Sequence, residues 1–252
     1  MEQPAIDVQG LVKRFGDLTA VDGISFTVQP GTITALLGGN GAGKTTTISM
    51  LLGLLLPTAG SITVLGVNLL RERFRVLPRM NFSSPYVDLP GRLTVRQNLR
   101  VYAMLYAVRD FAGRLAALSD ELDLAPLIDR PYRELSAGQK TRVALAKALL
   151  NEPDVLLMDE PTASLDPDIA DDVRQMLRAY QARTGATILL ASHNMTEVER
   201  ICHDVIIMRE GRIVDQGSPQ ALLQRYGRKT MEDVFLDIAR QRRADAQREV
   251  GA

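Results

Sequence analysis

The sequence predicts an α/β chain with a mostly parallel sheet, a strand-rich N-terminal part and an inserted helical lobe. Three observations carry this. Apolar and polar residues alternate early in the chain, the period of half-buried strands. Residues from about 92 to 150 carry apolar side chains at helical spacing almost throughout. From Asp154 onward, short apolar runs alternate with amphipathic stretches, the pattern of parallel strands covered by helices on both faces.

Taken in order, Ile6–Val12 and Ile24–Val28 read as alternating strands, followed by the turn signal Pro30-Gly31. Thr32–Leu37 is an apolar strand running into Gly38. Thr45–Leu55 reads as a helix ended by Gly53 and Pro57, with a turn at Thr58–Gly60 and a strand at Ser61–Val64. In the middle, Leu99, Tyr102, Ala103 and Tyr106 fall on one helix face, and Leu115, Leu118 and Leu122 continue the spacing. Pro126 and Pro131 interrupt it. Asp154–Met158 is nearly all apolar, as a fully buried parallel strand must be. A helix near Ile169–Arg183, a strand at Thr187–Ala191, a helix at Met195–Cys202 and a strand at Val205–Arg209 follow. Met231–Arg248 reads as a terminal helix.

Composition bounds the function. The chain has 252 residues, long enough to bury a sizeable core. Its 30 basic and 30 acidic residues cancel, so no global charge attracts nucleic acid or an anionic bilayer. A single cysteine excludes a disulfide framework and a thiolate zinc site. Met1-Glu2-Gln3-Pro4 has no basic-then-apolar signal pattern, and no apolar run approaches the roughly 20 residues of a membrane span.

Residues 38–45 read Gly-Gly-Asn-Gly-Ala-Gly-Lys-Thr, a G-x-x-x-x-G-K-[ST] pattern between a strand and a helix. Gly38, Asn40, Gly41, Ala42 and Gly43 let the backbone wrap a polyphosphate, and successive N–H groups form an anion nest at the helix start. Lys44 supplies a positive charge for the β- and γ-phosphates. Thr45 is placed to offer its hydroxyl to Mg²⁺, and Thr46 to add a phosphate contact. The strand ending in Asp159-Glu160 supplies the other half. A hard cation takes oxygen ligands and keeps several waters, which suits Asp159 acting through water. Glu160, one residue further, suits a carboxylate that polarises the attacking water. His193, just past a buried strand, is either a donor to the γ-phosphate or a loop histidine with a local partner. His203 reads as structural. Leu135-Ser136-Ala137-Gly138-Gln139 opens a helix, with Ser136 an N-cap candidate or part of an anion-binding surface.

In this order the motifs resemble the nucleotide-binding subunit of an ATP-binding-cassette (ABC) transporter, over about residues 5–220. The resemblance rests on the Walker A loop at 38–45, the signature at 135–139, Walker B at 155–160, the D-loop Ser164-Leu165-Asp166 and the switch His193. It implies a P-loop NTPase core with a mostly parallel sheet, an N-terminal antiparallel β subdomain and a helical subdomain at about 92–150. The ATPase domain would span 1–225 and a helical tail 226–252. It further implies ATP and Mg²⁺ as ligands and a head-to-tail dimer, homomeric or heteromeric. There Ser136, Gly138 and Gln139 face the partner's ATP, and Asp166 lies at the interface. Phe15 matches the aromatic that stacks on adenine. Separate integral-membrane permease subunits would hold the chain at the cytoplasmic face of the membrane.

Two details qualify the resemblance. Ala137 stands where the common signature has glycine. Counting back from Leu93-Thr94-Val95 puts Pro85 where the family usually carries a glutamine that touches Mg²⁺ and senses the permease, so Ser83, Ser84 or water must serve instead. The stretch Ser83–Leu89 and the Tyr102/Tyr106 face are the expected permease seat, the alternative for the two tyrosines being packing within the lobe itself. Thr230–Leu236 resembles the end of cassettes that serve drug, lipid, polysaccharide and nodulation-factor exporters. The same stretch also reads as an amphipathic terminal helix packing Val234, Phe235 and Ile238 on the core, and the two readings are compatible.

Two other functions stand beside the transporter. A soluble ABC ATPase acting on ribosomes or DNA usually carries two cassettes or a coiled-coil insertion, and neither is present. Arg240, Arg242, Arg243 and Arg248 alternate with Asp237, Asp245 and Glu249, the mark of a solvated face rather than a nucleic-acid surface. A cassette that binds ATP without turnover conflicts with intact Asp159, Glu160 and His193.

Overall fold

The computed structural model describes residues 3–85, 87–163 and 165–238. Two sheets organise them. The first is formed by β1 (Ile6–Phe15), β2 (Leu18–Val28), β4 (Ala59–Val64) and β5 (Val67–Asn68) in the order β2-β1-β4-β5, with every pairing antiparallel. The second contains β3 (Ile33–Leu37), β6 (Met80–Ser83), β7 (Val155–Asp159), β8 (Thr187–Ser192), β9 (Asp204–Arg209) and β10 (Arg212–Gly217) in the order β10-β9-β3-β8-β7-β6. It is parallel except for its β9–β10 edge. The expected mostly parallel core and N-terminal antiparallel sheet are therefore both present.

Strand alternation splits the interior into two cores. Ile33, Ala35, Leu37, Leu156 and Met158 face one side, where they meet the helical lobe. Leu36, Val155, Leu157 and Leu189 face the other, where they meet the antiparallel sheet. Both faces of the central strands are covered, which is why these segments read as continuous apolar runs. Three helices build the lobe: α3 (Val95–Leu105), α4 (Phe111–Glu121) and α5 (Ala137–Leu149). Thr94 and Gln97 close a capping box on α3. The lobe is less helical than expected, because left-handed residues at Ala107 and Asp123 end α3 and α4.

The helix after the glycine-rich loop, α1 (Lys44–Leu51), stops earlier than Leu55, since Gly53 takes a left-handed conformation at φ 67°. The remaining helices are α2 (Leu69–Val76), α6 (Pro167–Thr184), α7 (Met195–Ile201) and α8 (Pro219–Tyr226). The terminal residues 231–238 are also helical and bury Met231, Val234 and Ile238 on the core, as the packing reading expects. Arg240, Arg242, Arg243, Arg248, Asp245 and Glu249 lie outside the described residues, as does Ser164 of the D-loop. No helix among the described residues is long and apolar enough to cross a membrane.

The stripe Leu99, Tyr102, Ala103, Tyr106 takes part in the packing of the lobe itself, with both tyrosines half-buried. Leu99 and Ala103 are buried and the tyrosines pack against the same core. The Tyr106 hydroxyl meets Asn81 Oδ1 at 3.4 Å, and the Lys147 ammonium sits over the Tyr102 ring. The exposed apolar side chains of α3 are Val101, Met104 and Leu105.

Candidate functional site

In the parallel sheet, β3, β8 and β7 are neighbours, so the residues that follow them share one edge. There a cleft of about 690 Å³ opens, lined by Phe15, Leu18–Ala20, residues 39–46, Asp159, Glu160, His193 and Glu210. The loop of residues 38–43 is held by close contacts that only glycine permits. A Cβ on Gly43, at φ 99°, would lie 2.7 Å from the Ala20 carbonyl oxygen, and one on Gly38 would lie 2.5 Å from that of Met208. Gly43→Ala therefore forces both backbone strain of about 1–3 kcal/mol and a clash. It is expected to weaken ATP binding roughly fivefold to a hundredfold, measurable by titration with a fluorescent ATP analogue.

The charged groups form a chain across the cleft floor. Lys44, only 7 % exposed, donates to the carbonyl oxygens of Gly38 at 2.6 Å and Gly39 at 3.3 Å. Its Nζ lies 3.7 Å from Glu160 Oε1. The other Glu160 oxygen lies 2.7 Å from Nδ1 of His193. Thr45 donates its hydroxyl to Asp159 Oδ2 at 3.1 Å. Burial pushes the Asp159 carboxyl up from its ordinary range, as does neighbouring Glu160, against the Thr45 hydrogen bond and the Lys44 charge. Glu160 itself takes a left-handed backbone at φ 53°, and its N–H donates to the Ala191 carbonyl at 2.8 Å. Non-glycine residues adopt this conformation only where the surroundings over-determine it, commonly at functional sites.

The structure thus gathers Phe15, Asn40, Gly41, Ala42, Gly43, Lys44, Thr45, Thr46, Asp159, Glu160 and His193, while Gly38 anchors the loop from beneath. Phe15 is 48 % exposed, so it is not a core aromatic. His203 is structural: its Nδ1 accepts the Ile33 N–H at 3.0 Å. Leu18–Ala20 and Glu210 were not singled out by sequence. The hairpin that pairs Phe15 with Leu18 brings the first three to the cleft, and the Gly16-Asp17 step was a turn signal for it.

Two groups stay away from this cleft. Ser84 and Pro85 border a separate cavity of about 220 Å³ with Tyr132, Lys140 and Leu165, which departs from the expectation that Ser84 joins a metal shell. The cause is topological, for β6 lies beyond β7 at the sheet edge and its exit loop turns toward α5. Ser136, Gly138 and Gln139 also do not line the cleft. Ser136 caps α5: its Oγ accepts the Gln139 N–H at 3.3 Å, and Gln139 Oε1 accepts the Ser136 N–H at 3.0 Å. A Cβ on Gly138 would crowd Ile169 at 3.0 Å, which explains a glycine inside the first helical turn.

Comparison with known proteins decides the family. A family model described as ABC transporter matches residues 21–163. The chain belongs to the ABC transporter family. It is 43% identical over 227 residues to Nod factor export ATP-binding protein I of Burkholderia pseudomallei, covering 89% of this chain and 74% of the relative. The protein of the same description from Paraburkholderia xenovorans is 42% identical over 226 residues, covering 88% and 74%. Among solved structures, cbiO1 of Clostridium perfringens, part of the ABC transporter complex cbiONQ, superposes with a TM-score of 0.79 at 30% identity, covering 88% of this chain and 92% of that one. As an ABC cassette, the chain is an ATP-binding ATPase subunit of a transporter.

Proposed function

We propose that this chain powers export. It binds ATP with Mg²⁺ in the cleft, hydrolyses it, and transmits closure of a cassette dimer to separate permease subunits in the membrane. The observation that carries the reading is the convergence of Lys44, Thr45, Asp159, Glu160 and His193 at one edge of the sheet. Export is supported by the relatives described as Nod factor export proteins.

The residues present fit a magnesium ion. Thr45 and Asp159 offer hard oxygens, and a carboxyl group pushed up by burial gains from a cation beside it. No group of three or more His, Cys, Asp or Glu among the described residues could hold a metal alone, as suits an ion that arrives with phosphate and water ligands. When bound, the ion neutralises charge on the β- and γ-phosphates.

The chain's own groups do the rest. Phe15 offers its exposed ring to adenine. The N–H groups of residues 40–46 and the Lys44 ammonium hold the phosphates. Glu160 orients and polarises the attacking water, while His193 fixes its second oxygen and reaches toward the γ-phosphate. Ser136, Gly138 and Gln139, standing apart from this cleft at the start of α5, complete the site of a second cassette, whether an identical chain or a homologue. Asp166, exposed at the start of α6, takes the interface role. Permease contact falls to exposed Val87, Met104 and Leu105 beside the half-buried tyrosines. In this reading the chain works at the cytoplasmic face of the membrane, with an ATPase domain over 1–225, a helical subdomain at about 92–150 and a tail at 226–252.

Hydrolysis by the purified chain is expected to require Mg²⁺. Phosphate release should fall to background with excess EDTA and return when Mg²⁺ is restored. Turnover that persists in EDTA would contradict the assignment of Thr45 and Asp159.

A further inference from the structure

Behind the Glu160–His193 pair lies a buried carboxylate that the reaction scheme does not use. Glu197 on α7 is fully buried. Its Oε1 accepts the Thr162 hydroxyl at 3.0 Å and its Oε2 accepts the Ser192 hydroxyl at 2.6 Å. Thr162 belongs to the turn that follows Glu160, where the Ala163 N–H donates to the Glu160 carbonyl at 3.0 Å. Ser192 ends β8 immediately before His193, and its Oγ also accepts the Asn194 N–H at 3.0 Å. One carboxylate therefore ties together the two short segments that carry Glu160 and His193.

We infer that Glu197 is a positioning residue for hydrolysis: by holding Thr162 and Ser192 together, it fixes the left-handed turn at Glu160 and the distance between Glu160 and His193. The physical need is specific. The turn at Glu160 is anchored on one side by its own N–H to Ala191. The Ala163 N–H to its carbonyl is a bond within the turn, so the Thr162–Glu197 bond is what ties the far side of that turn to another element. Both hydroxyls are donors here, so the acceptor must offer two oxygens, which a carboxylate does and an amide does not. Burial pushes the Glu197 carboxyl up, opposed by its two hydroxyl bonds and by the charge of Arg174 on α6. A buried acid so placed costs stability unless its hydrogen bonds are kept, so its presence here serves geometry.

This inference rests on the reading of Glu160 as the group that acts on water, and the test separates the two. Steady-state ATPase of the full chain would be measured for wild type, Glu160→Gln, Glu197→Gln, Thr162→Val and Thr162→Ser, with bound nucleotide per folded chain determined for each. Misplacing a reacting group slightly costs about tenfold to a hundredfold in rate. Glu197→Gln and Thr162→Val are expected to lose kcat on that scale, with KM for ATP and nucleotide stoichiometry unchanged. Thr162→Ser, which restores the donor, should recover kcat. Purely structural damage would lower stoichiometry along with rate, and that result would overturn the inference. So would wild-type kcat in Thr162→Val, or a loss that serine does not rescue, while Glu160→Gln is inactive. Full turnover by Glu160→Gln would overturn the reading of Glu160 and this inference with it.

Discussion

Replacing Glu160 by glutamine is expected to lower ATP hydrolysis by about a thousandfold while leaving ATP affinity nearly unchanged, since a positioned general base contributes about 10²–10⁴-fold. The amide retains the shape of the side chain and can still meet His193, so the cleft should keep its geometry. What it loses is the negative charge that draws a proton from water. The phosphate loop and Lys44 are untouched, so binding persists. A cassette that binds without hydrolysing should also hold its dimer closed. Light scattering with ATP and Mg²⁺ should then show a dimer in Glu160→Gln that wild type loses on turnover. A variant that stays monomeric and turns over normally would remove Glu160 from the chemistry.

Lys44→Ala should act on the preceding step. In the structure the ammonium is held by two loop carbonyls and by Glu160, a buried cation waiting beside an anion site. Charge-assisted bonds from such an ammonium to phosphate are worth about 1.5–3 kcal/mol each. Losing them is expected to weaken ATP binding by roughly ten- to a hundredfold or more. Calorimetric titration of the folded variant measures this directly. Unchanged affinity would mean the glycine-rich loop serves some other purpose. The two substitutions thus separate binding from hydrolysis: one should raise Kd, the other should lower kcat.

Much of this centre was legible before the structure because its chemistry is concentrated in short segments. The loop at 38–45, the Asp159-Glu160 pair and His193 each follow an apolar strand, and neighbouring parallel strands bring their ends to one edge. Ser136 was legible as a cap because its partner Gln139 lies three residues on, within one helical turn. Long-range placement was not legible. Leu18–Ala20 reach the cleft only through a hairpin of a different sheet, and Glu210 only through the β9–β10 turn.

Weak local signals hid the remaining elements. Strand β6 carries Asn81 and Ser83 and lies at a sheet edge. Strand β10 is largely exposed, and α2 is rich in arginine and kinked at Glu72. The tyrosine stripe of α3 was correctly periodic, but periodicity does not say whether an apolar face meets its own core or a partner. The buried Glu197 network was beyond reach for the same reason, since Thr162 and Glu197 are 35 residues apart.

The central claim, that this cleft binds ATP for hydrolysis, is tested most directly by a crystal structure of Glu160→Gln with ATP and Mg²⁺. The expected result places adenine on Phe15, the β- and γ-phosphates against the N–H groups of residues 40–46, and Lys44 turned from Gly38 and Gly39 onto phosphate. The metal should lie beside Thr45 and Asp159, and Ser136 of a second cassette should close over the γ-phosphate. Nucleotide bound elsewhere, or Lys44 still on its loop carbonyls with the phosphates out of reach, would contradict it.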